Sequence, residues 1–130
     1  MILIDTSAWI EYRRSTGSPE CVRVRELVAT DAAVCVTEPV VMELMAGIPS
    51  GSGRQQLTRF IRRFEWASVA GLDDYEKAAD VYLRCRAGGE TVRSMIDCLI
   101  AAVALRTGSA VLHRDRDFDV IARYLPLQLA

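Results

Sequence analysis

The feature that most constrains this 130-residue sequence is a set of short apolar runs set between longer segments of helical periodicity. Ile2-Leu3-Ile4, Ala33-Val34-Cys35-Val36 and Ala110-Val111-Leu112-His113 are three to four residues long and show little polar alternation, so each reads as a strand buried on both faces. Trp66 to Val69 is a fourth, weaker run. Between them, Ala8 to Arg14, a segment opened by Ser18-Pro19-Glu20, and another opened by Glu38-Pro39 and stopped at Gly47 carry helix-start and helix-stop chemistry. Arg54 to Phe64, Asp73 to Arg86, Ser94 to Arg106 and Asp117 to Tyr124 complete the helical set. Strands that alternate with helices predict a parallel sheet covered by helices. Ile48 to Gly53 is the only stretch of loop composition and is too short for a linker, so one domain spanning 1–130 is expected.

Composition narrows the function classes. Half the residues are hydrophobic (51%) and the formal charge is -1, so the chain is a globular protein and not a polycation that grips nucleic acid by bulk charge. All the cations but Lys77 are Arg, whose planar fork suits phosphate. Cys21, Cys35, Cys85 and Cys98 form no C-x-x-C pair and His113 is the only histidine, which argues against a thiolate zinc site and for free thiols in a reducing cytosol. Asp5 interrupts the opening apolar run, and the longest later one, Cys98 to Leu105, is too short to span a bilayer, so a cytoplasmic protein with no membrane partner is expected.

The chemistry rests on where the carboxylates fall. Asp5 follows the first strand at the carboxyl edge of the sheet, where open α/β folds place their ligands, although it is also a suitable helix cap. Glu43 lies on the helix after the second strand. Asp97 is the only charge between Ser94 and Leu105, in a segment that is otherwise apolar. Two readings stand for it: a buried carboxylate that needs donors or a metal, or the acid of a capping box Ser94-Met95-Ile96-Asp97. Asp115 and Asp117 follow the last strand, again at a carboxyl edge. Carboxylates gathered from separate elements repel one another unless a cation neutralises them, and oxygen-only ligands suit Mg²⁺ or Mn²⁺. Such ions activate water and stabilise charge on a phosphoryl oxygen, which points to phosphodiester hydrolysis.

At these residues the sequence resembles PIN domains, and in size and tight loops the VapC-type toxins. Met1 to Ser7, Glu43 after the second strand, Asp97 to Ala102 and His113 to Phe118 are similar to the four signature blocks of that family, in order and along the whole chain. The resemblance implies a three-layer α/β/α fold with a central, mainly parallel sheet of four or five short strands. It also implies a Mg²⁺-dependent ribonuclease, with Mn²⁺ able to substitute, that acts on RNA, forms a homodimer and is held inactive in a hetero-oligomer by a VapB-type antitoxin. By position, Asp5, Glu43 and Asp97 match the three central metal-binding acids, and Asp115 or Asp117 the fourth. Thr6 and Ser7 match the polar pair that orients the first carboxylate. Arg93, Arg114 and Arg116 are candidates for holding substrate phosphate.

Other readings fit less well. A haloacid-dehalogenase-like phosphatase needs a second Asp two residues after the first, where Ser7 stands. A receiver domain needs a Lys at a late strand end, and Lys77 lies mid-helix. A catalytically silent PIN-like module that binds RNA or a partner is the remaining alternative.

Overall fold

The computed structural model describes residues 1–30 and 32–130. The described chain runs β1 (Ile2–Ile4), α1 (Thr6–Arg13), α2 (Pro19–Ala29), β2 (Val34–Val36), α3 (Glu38–Ala46), α4 (Ser52–Ile61), β3 (Glu65–Trp66), α5 (Gly71–Ala87), α6 (Met95–Thr107), β4 (Ala110–Leu112) and α7 (Arg116–Tyr124). The four strands form one sheet of order β3-β2-β1-β4, and every pairing is parallel. The tail adds an isolated parallel bridge, Val111 to Leu129. The expected mainly parallel sheet flanked by helices is therefore present.

From β1 the chain winds outward through β2 to β3, then returns to place β4 on the other side of β1. The switch of direction thus falls at β1, and its carboxyl end opens into the crevice that such a reversal creates. Leu3, Ile4, Val36, Val111 and Phe118 are buried at the centre of the core. Helix α6 lies deep, with every residue from Asp97 to Ala104 buried, as its nearly all-apolar composition predicts. Ala101, Ala102 and Ala104 carry no side chain beyond Cβ, which suits a helix packed closely by its neighbours.

Three strands differ in extent from expectation, the second by starting at Val34 rather than Ala33. The third strand is Glu65–Trp66 rather than Trp66 to Val69. Only the Ala67 amide extends its pairing, to the Val36 carbonyl; beyond it the Val69 amide donates to Glu38 Oε2 and the Ala70 amide to Asp74 Oδ2. Carboxylates have taken the amides that a longer ladder needs. The last strand stops at Leu112 because His113 turns its Nδ1 to accept the Asp115 amide (3.0 Å). Trp9 is buried in an aromatic cluster with Tyr12, Phe60 and Phe64, whereas Trp66 is exposed. Among the described residues the four cysteines are free and buried, and no helix is long and apolar enough to cross a membrane.

Candidate metal centre

The carboxyl ends of β1 and β4, the start of α6 and one face of α3 supply the acids. The Asp5 amide donates to the Leu112 carbonyl (2.9 Å), which locks the end of β1 to the end of β4. Asp5 caps α1 through Oδ2, which accepts both the amide (2.9 Å) and the hydroxyl (2.5 Å) of Ser7. Its Oδ1 is buried and has no partner. Ser7 Oγ in turn accepts the Arg114 amide (2.9 Å), so one hydroxyl joins the first carboxylate to the loop that carries the last two. Thr6 acts elsewhere than its position in the motif suggests. Its hydroxyl donates to Glu43 Oε1 (2.8 Å), so it orients the acid of α3 rather than Asp5.

The capping box at α6 does not form. Ser94 is the cap residue but makes no side-chain cap bond, and the amides of Arg93 and Ser94 donate to Asp117 Oδ1 (3.2 Å) and Oδ2 (3.1 Å) instead. An acid from α7 has thus replaced Asp97 at the helix entrance. Asp97 is released to face the cluster, 5% exposed, with a buried Oδ2 that has no partner. Asp115 caps α7 through the Asp117 amide (2.9 Å). One carboxylate oxygen each from Asp97, Asp115 and Asp117 lie within 4.8 Å of one another.

The electrostatics follow from this crowding. Burial, then the neighbouring Asp117, Asp5 and Asp115 carboxylates, push the Asp97 carboxyl up to about 9. Burial also raises Asp5, against the opposing hydrogen bonds from Ser7, with Asp115 adding repulsion. Glu43 is raised by burial and by Asp5 and Asp115, against the Thr6 hydroxyl. Three acids from three elements therefore resist ionising together in the absence of a cation. Two of the donor set carry an oxygen that nothing in the protein satisfies, and all donors are oxygens. This is the chemistry of a hard divalent-cation site.

Residues 2–124 match the PIN domain. The whole chain is 47% identical to Ribonuclease VapC11 of Mycobacterium tuberculosis over 131 residues, covering 100% of this chain and 98% of that relative. The chain belongs to the PIN-domain family, among its VapC ribonucleases. Solved VapC folds agree in architecture. VapBC2 from Rickettsia felis, bound to a DNA fragment from their promoter, matches with a TM-score of 0.73 at 16% identity, over 100% of this chain and 98% of that one. VapC20 of M. tuberculosis, a sarcin-ricin-loop-cleaving toxin, matches with a TM-score of 0.68 at 20% identity, over 98% of this chain and 99% of that one.

Within this VapC fold the three arginines singled out in the sequence have distinct surroundings. Arg93 is 68% exposed in its side chain and leans toward Asp117 (3.7 Å). Arg114 is held by Glu20 (2.8 Å) and Glu11 (3.4 Å), which ties the loop after β4 to α1 and α2. Arg116 is exposed and has no ion pair among the described residues. His113, expected as the last residue of its strand and given no role at the site, sets the path of the backbone into Asp115. A histidine directly after a strand and two residues before an acid was the available signal.

Proposed function

We propose that Asp5, Glu43, Asp97, Asp115 and Asp117 hold Mg²⁺, for which Mn²⁺ can substitute, and that the chain hydrolyses RNA phosphodiester bonds there. The observation that carries this reading is buried Asp97, which keeps one oxygen unpartnered and brings a carboxylate oxygen within 4.8 Å of those of Asp115 and Asp117, in a chain whose closely similar relative is a named VapC ribonuclease. A divalent ion at such a site supplies a water of lowered pKa and neutralises charge on the phosphoryl oxygen. The protein's own part is to fix the acids. Ser7 holds Asp5 from one side, Thr6 holds Glu43, and the Asp115 cap and the Arg93 and Ser94 amides hold the two acids of the last loop and helix. The surrounding core limits their movement, so the ligands need little reorganisation on binding.

The same reading places residues 1–130 in one domain, working in the cytoplasm, where buried free thiols such as these persist. It also casts the chain as the toxin of a toxin–antitoxin pair, following the VapBC2 pair of R. felis. A VapB-type antitoxin and a second copy of the chain are its protein partners, and exposed Met42 and Trp66 offer apolar surface to them. The purified chain is expected to cleave total bacterial RNA with Mg²⁺ or Mn²⁺ and to stop on chelation. Undiminished cleavage in excess EDTA overturns the metal reading. Retention of RNA without cleavage in saturating Mn²⁺ overturns the enzyme in favour of a binding module.

A further inference from the structure

The acid cluster poses an electrostatic problem for any RNA that approaches it. A bound cation offsets part of its charge, but the phosphates on either side of the scissile bond meet carboxylates that repel them. Cations must stand beside the cluster; of the three arginines next to it only Arg116 is exposed without an ion pair among the described residues, and the other two are engaged. Arg114 is neutralised by Glu11 and Glu20, and Arg93 leans on Asp117. On the Glu43 side the situation differs. The last turn of α1 ends in Arg13 and Arg14, both exposed and without an ion pair among the described residues. They line one cavity of about 220 Å³ together with Glu43, Ile10, Leu44 and Gly47. Two free guanidinium groups thus share a wall with a proposed metal ligand.

Arg13 also borders the neighbouring cleft toward α4, where Gln56 stands opposite. From Ser50 to Phe64 the chain carries Arg54, Arg59, Arg62 and Arg63 and no acid. Among the described residues none of these four is ion-paired, although Arg63 lies over the Phe60 ring. These four do not share one face with Arg13 and Arg14: Arg54 shares a groove with Glu38 and Trp66, and Arg63 lies with Met1, Val34 and Glu65 at the amino ends of the strands. Cations at a helix C-terminus also favour the helix dipole. That role accounts for one terminal Arg, but not for two that share a cavity with Glu43.

We propose that Arg13 and Arg14 form a phosphate subsite that grips the RNA backbone next to the scissile bond, on the Glu43 side of the acid cluster. This deepens the ribonuclease reading and rests on it. Guanidinium forks bind phosphate through paired hydrogen bonds, so the contact positions the strand without reading its bases.

The test compares the full-length chain with Arg13→Gln/Arg14→Gln. The probe is a fluorescein-labelled, randomised single-stranded oligoribonucleotide, followed by anisotropy with Ca²⁺ and by cleavage with Mn²⁺. The double variant is expected to bind it roughly tenfold or more weakly, and to raise KM more than it lowers kcat. Its slope of log affinity against log salt should fall by about 0.7 for each phosphate that is no longer neutralised. Arg13→Lys/Arg14→Lys should recover the salt slope. The Mn²⁺-induced rise in Tm should match the parent, because the acids are intact. Unchanged affinity and salt slope in the double variant overturn the subsite, also where binding of a protein partner is lost. Absence of cleavage by the parent chain itself defeats the ribonuclease reading instead, so the two failures are distinct.

Discussion

A carboxylate has two oxygens, and at this centre their use differs from acid to acid: Asp117 gives both to the Arg93 and Ser94 amides. Asp5 gives Oδ2 to Ser7 and keeps Oδ1 free. Asp115 caps α7 with one oxygen while it contributes to the cluster. Asp97 is the extreme case, buried and with an oxygen that no protein group satisfies. Asp97→Asn is therefore expected to separate fold from function. Asn keeps the shape and removes the charge, so cleavage should fall by at least about a hundredfold and the Mg²⁺-induced rise in Tm should largely vanish, in keeping with loss of a ligand. The metal-free protein should be as stable as the parent or more so, since one member of a repelling set is neutralised. Parallel RNA-cleavage assays and thermal melts check this, and an active Asn variant would sink the assignment of Asp97.

Helix α6 shows how an element can serve the site at one end and stability at the other. Its first turn carries Asp97, and its last turn carries Arg106, which grips buried Asp74 of α5 through Nε (2.9 Å) and reaches the Ser68 carbonyl (2.6 Å). Burial pushes the Asp74 carboxyl up, but the Arg106 guanidinium and the Ala70 amide outweigh it and hold it below the usual value. Removing Arg106 leaves a buried carboxylate with the Ala70 amide alone. Arg106→Ala is expected to cost about 1–3 kcal/mol in urea denaturation, less than for a fully buried pair because the guanidinium is half-exposed. The Mg²⁺ response should persist, as nearly the whole helix separates the pair from the cluster. Loss of that response along with stability would show that α6 does not act as a rigid spacer.

Across the whole molecule these two kinds of acid pull the stability profile in opposite directions. Asp97, Asp5 and Glu43 are raised. Between the ordinary carboxylate value and about 9, folded Asp97 keeps a proton that the unfolded chain has released. Its contribution is complete at low pH and is lost as pH rises through that window. Asp74 is lowered, so its contribution is present above the ordinary value and is lost as pH falls below it. The metal-free protein is therefore expected to be most stable in mildly acid solution and to weaken toward alkaline pH. Mg²⁺ should flatten the alkaline side, because the cation takes the place of the protons. Melting curves with EDTA and with Mg²⁺ across that range check it; a metal-free Tm that climbs from mildly acid to alkaline pH would contradict the crowded-acid picture.

Much of this molecule is legible along the chain because its signals are local. Apolar runs of three or four residues bounded by turn and cap residues read as covered strands, and the carboxylates at their ends belong on one rim once the strands are parallel. Burial of α6 follows from its composition, since a helix with no polar face has to be enclosed. What the linear order cannot carry is which long-range partner wins a given backbone amide. Ser94-Met95-Ile96-Asp97 has the pattern of a capping box, yet Asp117, 23 residues away, takes the cap amide and frees Asp97. Thr6 stands beside Asp5 in sequence but bonds Glu43, 37 residues on, because α3 packs against α1. The end of β3 was lost to Glu38 and Asp74 for the same reason. A carboxylate brought close by folding outcompetes a weaker local acceptor, and only the tertiary structure decides which carboxylate that is.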